Sequence, residues 1–166
     1  GVADGRGLVA ALALGADGVL LGTRLVASLE SSAHAAYKQA IVSAAAEDCV
    51  STDIFEIGWP GLPERVVRNA TVDAWETEPE PRLRPSDRPV ELIASRRLAD
   101  GSILEIPRWF VDTPHEGDEG AVEEMALYAG PSAGLVEEVL PAAEIVRRIA
   151  AEAEAAWERL GALRRE

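Results

Sequence analysis

The chain has one cysteine, few aromatic residues and little positive charge, and each shortage excludes a class of protein. Cys49 cannot form an intrachain disulfide, which fits a protein of the reducing cytoplasm, and its apolar and small neighbours predict a buried, unreactive thiol. Only 16 basic residues accompany 29 acidic ones, giving a formal net charge of -13. So acidic a chain is not expected to bind nucleic acid or an anionic membrane surface.

Long apolar runs and clusters of metal ligands are also missing. No segment is long and apolar enough for a membrane span or a signal peptide, so we expect neither. Cys49 and two scattered histidines, His34 and His115, do not make a metal site. Hydrophobic residues make up 48% and charged residues 27%, which is ordinary for a globular domain.

The first thirty residues predict a helix followed by a buried strand. Asp4 is a good N-cap, the apolar positions within 8–12 share one helical face, and Gly15 ends the helix. The apolar run 19–21 fits a parallel strand buried on both faces. Helix then strand is half of a repeating βα unit, so we expect the preceding strands to lie outside this chain.

The remaining chain predicts an alternation of helices, extended segments and loops. The elements are a helix over 34–46 capped by Ser31 or Ser32, an extended segment over 49–56, a turn at 59–61, a helix over 63–69, a loop over 77–89, a hairpin of 90–98 with 103–110, a loop over 112–120, and a helix after Pro141. Pro107 confines the second hairpin arm to a sheet edge. The helix over 34–46 has an apolar face of Tyr37, Ile41 and Ala44 or Ala45. The last helix has a Glu144–Arg148 pair and an apolar stripe: Ile145, Val146, Ile149, Ala153, Ala156, Trp157 and Leu160.

Glycines at the start of the first helix and the end of the predicted strand indicate an anion site. Such positions let backbone N–H groups approach a phosphate, and Thr23 adds a hydroxyl donor. In α/β barrels the loops after the last two strands, with a short extra helix, often build a phosphate site. Residues 23–27 are predicted to form that helix. On spacing alone, the glycines could equally serve turns.

The run GVADGRGLVAALALGADGVLLGTRLVAS resembles the end of the barrel in nitronate monooxygenases. SSAHAAYKQAIV, VVRNATVDAWE and MALYAGPSAGLVEEVLPAAEIV are also similar to segments of that family. The first motif is shared with other FMN barrels, whereas its combination with the last one is more specific. A related FMN-dependent enoyl-thioester reductase and a non-catalytic stand-alone domain are the alternative hypotheses.

The resemblance implies an α/β fold, namely the C-terminal fragment of a TIM (β/α)8 barrel with an added hairpin region and a C-terminal helix. The expected divisions are 1–48 for the last barrel units, 49–120 for a family-specific insertion, and 121–166 for a loop near the flavin plus the helix. The implied reaction is oxidation of an alkyl nitronate by molecular oxygen with FMN as cofactor. We expect the fragment alone to be inactive, and its exposed barrel edge to favour self-association.

The same resemblance assigns the cofactor contacts. The FMN-binding residues are Gly1, Leu20, Leu21, Gly22 and Thr23. Leu20 replaces a frequent glutamine, which preserves a backbone contact but not a side-chain hydrogen bond. Gly130 and Ser132 match a loop near the flavin, where Pro131 replaces another glutamine.

No catalytic residue is assigned to this chain. The family's catalytic base is a histidine from an earlier barrel segment. His34 matches a position outside the active site, at the start of a helix, and His115 lies in a charged loop where we expect it to be solvated. The four tryptophans are scattered and predict packing rather than a stacking platform.

Overall fold

Helices and short antiparallel strands alternate along the chain. The computed structural model describes residues 1–80 and 82–163. The helices are α1 (Gly5–Ala13), α2 (Thr23–Val26), α3 (Ala35–Ser43), α4 (Ala70–Thr77) and α5 (Ala142–Leu163). The strands are β1 (Cys49–Thr52), β2 (Glu64–Val67), β3 (Leu92–Arg97), β4 (Ile103–Pro107) and β5 (Glu119–Gly120). The architecture is mixed α/β, as the sequence predicts at that level.

Helix α1 has the boundaries that the sequence predicts. Asp4 Oδ1 accepts a hydrogen bond of 2.8 Å from Gly7 N, and Gly15 follows the helix with a φ of 96°. The helix lies against α5: Gly5 N donates to Glu152 Oε2 at 2.9 Å. A Cβ at Gly5 would lie 2.3 Å from Ala153 N, so this contact requires glycine.

The predicted buried strand over 19–21 is wrong. The segment belongs to no sheet, and Leu20 is 91% exposed. Among the described residues no strand runs beside it, and an extended segment gains ladder hydrogen bonds only from a neighbour. The short helix predicted directly after it is confirmed as α2.

Helix α3 is confirmed, but its N-cap differs from the prediction. His34 Nδ1, rather than a serine hydroxyl, accepts from Ala36 N at 3.1 Å. Tyr37 and Ile41 are buried on the predicted face. They join a core cluster drawn from distant parts of the chain: Ala3, Ala27, Tyr37, Ile41, Ala44, Cys49, Val67, Leu127, Ala129, Ala133 and Val136.

The helix predicted over 63–69 is wrong, because that segment is strand β2. It pairs antiparallel with β1, with Cys49 opposite Val67, and the side chains of Val66 and Val67 are buried. These pairings outweigh the weak helix signal of a proline at the first turn. The helix begins later, at α4, where Asn69 Oδ1 accepts from Val72 N at 3.2 Å.

The hairpin of β3 and β4 is confirmed, and its turn places Gly101 at a φ of 87°. The sheet order is β4-β3-β5, so Pro107 lies on an edge strand as expected. Strand β5 falls within the predicted loop over 112–120, which is therefore not wholly irregular.

Helix α5 is confirmed, together with its predicted ion pair. Arg148 Nε lies 2.6 Å from Glu144 Oε1. Only part of the predicted apolar stripe is buried: Ile145, Ile149, Ala153 and Ala156. Val146, Trp157 and Leu160 are exposed instead. No helix among the described residues is long and apolar enough to cross a membrane.

Candidate cofactor site

A loop at residues 130–132 brings the two predicted phosphate-binding segments together. Gly130 N donates to Thr23 Oγ1 at 3.1 Å. On the other side of the loop, a Cβ placed on Gly1 would lie 3.2 Å from Ser132 Oγ. Both residues therefore lie close to a loop more than a hundred positions further along the chain, the one that the resemblance puts near the flavin.

The buried thiol of Cys49 supports this loop. Cys49 Sγ donates to Gly130 O at 3.2 Å, and its side chain belongs to the core. Burial, with a smaller effect of Asp48, raises the pKa of the thiol. The group therefore remains protonated at neutral pH and serves as an internal donor, in line with the prediction of a buried thiol.

An open cleft of about 490 Å³ lies beside the loop. Gly22 and Thr23 line it, whereas Gly1, Leu20 and Leu21 do not. The other wall comes from α3, β2 and the loops after β4 and before residue 130. Its members with polar side chains are Ser31, Ser32, Tyr37, Glu64, Arg65, Thr113, His115 and Tyr128.

Two tyrosines tie the cleft wall to the backbone. Tyr37 Oη donates to Tyr128 O at 2.5 Å, and Tyr128 Oη donates to Val111 O at 3.0 Å. Burial raises the pKa of Tyr128 to about 12 and also raises the pKa of Tyr37. Both phenols are therefore neutral near pH 7 and act as hydrogen-bonding groups rather than as anionic bases.

The loop after β4 is organised by Arg96. Its guanidinium donates to Asp118 Oδ1 at 2.7 Å, to Asp118 Oδ2 at 2.8 Å and to Asp112 Oδ2 at 2.6 Å. Arg96 Nη2 also donates to Thr113 O at 3.0 Å. Burial alone would raise the pKa of Asp118, but hydrogen bonds from Arg96 and from His115 N lower it below its ordinary value.

Sequence reasoning missed four of the residues in this cleft. Tyr37 was predicted only as a packing residue, and Arg65 and Tyr128 carried no site assignment. His115, expected to be solvated, is half-exposed but lies in the cleft. No local pattern marks these residues, because they converge only through long-range contacts. His34, in contrast, caps α3 as its position at a helix start predicts.

The groups at Gly22 and Thr23 fit an anionic phosphate. A Cβ on Gly22 would meet nothing within 4 Å, so the backbone there is open to a ligand. The Thr23 oxygen accepts from Gly130 N, which leaves the hydroxyl hydrogen available to donate. The first N–H groups of α2 lack carbonyl partners within the helix. Within the described residues, no cluster of three or more side chains suits a metal ion.

Comparison with known proteins identifies the family. Residues 1–152 match the family model described as nitronate monooxygenase. The chain belongs to the nitronate monooxygenase family. This family comprises flavin-dependent oxidoreductases, so the resemblance noted in the sequence is confirmed at that level.

Several members of the nitronate monooxygenase family are similar over most of this chain. Nitronate monooxygenase npaC of Metarhizium robertsii is 33% identical over 89% of this chain and 38% of its own length. Nitronate monooxygenase of Pseudomonas aeruginosa is 33% identical over 92% of this chain and 37% of its own length. The chain thus spans well under half of these relatives.

A solved structure shares the fold. FabK from Thermotoga maritima, a TIM-barrel enzyme, is 31% identical with a TM-score of 0.68. The match covers 98% of this chain and 45% of FabK. The arrangement of helices and small sheets described above is therefore shared with part of a barrel enzyme.

Proposed function

We propose that this chain is the C-terminal part of an FMN-dependent nitronate monooxygenase, which oxidises alkyl nitronates with molecular oxygen. The observation that carries the proposal is the hydrogen bond from Gly130 N to Thr23 Oγ1, with Ser132 of the same loop close to Gly1. The family match over residues 1–152 supports the reaction class. The proposed fold is the end of a TIM (β/α)8 barrel.

In this proposal the glycine-rich segments hold the phosphate of FMN. Backbone N–H groups at Gly22 and Thr23 and the Thr23 hydroxyl are the donors, and Leu20 and Leu21 contribute backbone alone. Gly1 allows close approach because it has no side chain. When bound, FMN supplies the redox chemistry, while the protein positions cofactor and substrate. Tyr37 and Tyr128 form a neutral, hydrogen-bonded wall of the cleft.

The proposed partners are a small alkyl nitronate and oxygen, with no nucleic acid and no membrane. The 166 residues are proposed to be inactive alone, because the family's catalytic histidine and most of the flavin pocket belong to earlier barrel segments. Apolar side chains that would contact those segments are exposed here, including Leu14 and Leu20 at 90% and 91%. Such surface favours association between copies.

The single buried thiol is compatible with the cytoplasmic location that the sequence predicts.

A charge placed against the phosphate tests the proposal. In the full-length protein, Gly22→Asp should weaken FMN binding at least about a hundredfold, since juxtaposed like charges cost several kcal/mol. FMN content is measured from visible absorbance after purification, and oxygen uptake is followed with propyl-2-nitronate.

Gly18→Asp is the matched control. Gly18 lies in the same exposed segment and has open space for a Cβ, but it does not line the cleft. This variant should keep its flavin. Full FMN occupancy in Gly22→Asp would contradict the phosphate assignment, and an unaltered protein that binds FMN but leaves nitronates unoxidised would contradict the proposed reaction.

A further inference from the structure

His115 is one of the residues that line the cleft, and neither of its ring nitrogens is hydrogen-bonded within residues 1–80 and 82–163. Its side chain is 41% exposed, and the nearest carboxylate oxygen, Asp112 Oδ1, lies 3.7 Å from Nε2. That separation exceeds a hydrogen bond. His115 thus lines the same cleft as Gly22 and Thr23 and has a ring N–H that is free to donate.

The backbone around this histidine is fixed from two sides. His115 N donates to Asp118 Oδ2 at 2.8 Å, and Asp118 is in turn held by Arg96. Glu116 N donates to Ser32 O at 2.7 Å, and His34 N donates to Pro114 O at 3.0 Å. These hydrogen bonds hold the backbone of the loop in place before a ligand binds. Less conformational entropy is then lost on binding.

One arginine on the cleft wall can pair with a small anion. Arg65 also lines the cleft, and its guanidinium donates to Cys49 O at 3.3 Å. Among the described residues Arg65 makes no ion pair with a carboxylate. Glu64 is the acidic residue that lines the cleft, whereas Asp112 and Asp118 are bonded to Arg96.

We propose that His115 is a substrate-binding residue that donates a ring N–H to an oxygen of the bound nitronate. A nitronate is a planar anion whose negative charge is shared by two oxygens, so it accepts strong charge-assisted hydrogen bonds. The inference rests on the proposed function, and it assigns substrate recognition to the loop between β4 and β5. Arg65 provides a cationic group at the same cleft.

The test compares His115→Gln and His115→Ala with the unaltered full-length protein. The KM for propyl-2-nitronate should rise about tenfold to a hundredfold in His115→Ala, the usual range for a lost hydrogen bond to a charged group, and less in His115→Gln, whose amide N–H can still donate. The dissociation constant for nitrate, an unreactive planar anion, should rise by a similar factor when measured from the perturbation of the flavin absorbance spectrum. FMN content should be unchanged.

His34→Asn is the control, because asparagine keeps an acceptor for the N-cap of α3 and His34 does not line the cleft. It should retain the unaltered KM and nitrate affinity. The inference is overturned if His115→Ala, which has no donor, retains FMN together with the unaltered KM and nitrate affinity. Absence of FMN or of nitronate oxidation in the unaltered protein would instead overturn the proposed function.

Discussion

At the scale of single residues, Arg96 has the largest set of bonds near the site. One guanidinium joins two carboxylates and a backbone carbonyl, and it thereby fixes the loop that carries His115. The Asp118 side chain is fully buried, at 0% exposed. A buried carboxylate is tolerated only when it is paired, so Asp118 depends on this arginine.

Replacing Arg96 with leucine should therefore destabilise the protein. Removing one partner of a buried ion pair costs about 3–5 kcal/mol in the free energy of unfolding. Urea unfolding followed by circular dichroism measures the change. The neighbouring Arg97→Leu is the control: Arg97 is exposed, and the described residues offer it no ion pair, so a change within about 0.5 kcal/mol is expected.

The stability lost in Arg96→Leu should depend on pH in a defined direction. Because the folded-state pKa of Asp118 is depressed, its stabilising contribution is present above its unfolded pKa of about 3.9 and is lost as pH falls through the folded value. The deficit of Arg96→Leu should thus be largest near pH 7 and shrink below about pH 4. A deficit that stays constant over this range would contradict the dependence of Asp118 on Arg96.

At the scale of elements, α1 and α5 meet through a glycine. Val9 of α1 forms a small buried cluster with Ala153 and Ala156 of α5. Gly5 approaches the α5 backbone so closely that no side chain fits between the helices. Glycine is otherwise unfavourable inside a helix, so close packing explains its presence here.

Two glycine-to-alanine substitutions should have opposite effects. Gly5→Ala forces α5 to shift and should lower the free energy of unfolding by about 1–3 kcal/mol, the usual cost of overpacking. Gly161→Ala, in α5 with no atom within 4 Å of the added Cβ, should raise it by about 0.4–1 kcal/mol. Thermal unfolding of both variants measures the difference, and stabilisation by Gly5→Ala would contradict the observed contact.

Local signals predicted some elements well and failed for others. The Asp4 cap and the Asp100-Gly101 turn each depend on a few neighbouring residues, and both are confirmed. Helix α5 is confirmed as well, although only part of its predicted apolar stripe is buried. Strand β2 was predicted as a helix because its identity depends on pairing with β1. Pairing is decided between segments, and short strands have no propensity strong enough to reveal it.

At the scale of the molecule, the isolated 166 residues should bind FMN poorly and associate with each other. The cleft is open, and relatives are more than twice as long as the part matched. A titration followed by visible absorbance should show no saturation at micromolar FMN, whereas the full-length protein should bind stoichiometrically. Sedimentation of the same isolated sample should reveal concentration-dependent oligomers, driven by exposed side chains such as Leu14 and Leu20.

Replacing both leucines with glutamate provides the control for association. The double variant should sediment closer to a monomer. Leu83 lies in a different part of the chain and is 62% exposed, and Leu83→Glu should leave the distribution of oligomers unchanged. A tight one-to-one FMN complex of the isolated chain would contradict the proposal that earlier barrel segments are needed to enclose the flavin.

The sequence by itself determined the family, the mixed α/β class and the candidate phosphate-binding residues Gly22 and Thr23, because each depends on motifs of adjacent residues. Only the tertiary structure decided which distant residues lie at the same cleft as Gly22 and Thr23. Thr23 and Gly130 are 107 positions apart, and His115 reaches the cleft through a loop anchored by Arg96. Such convergence depends on packing between distant segments, which leaves no periodic or local pattern in the chain.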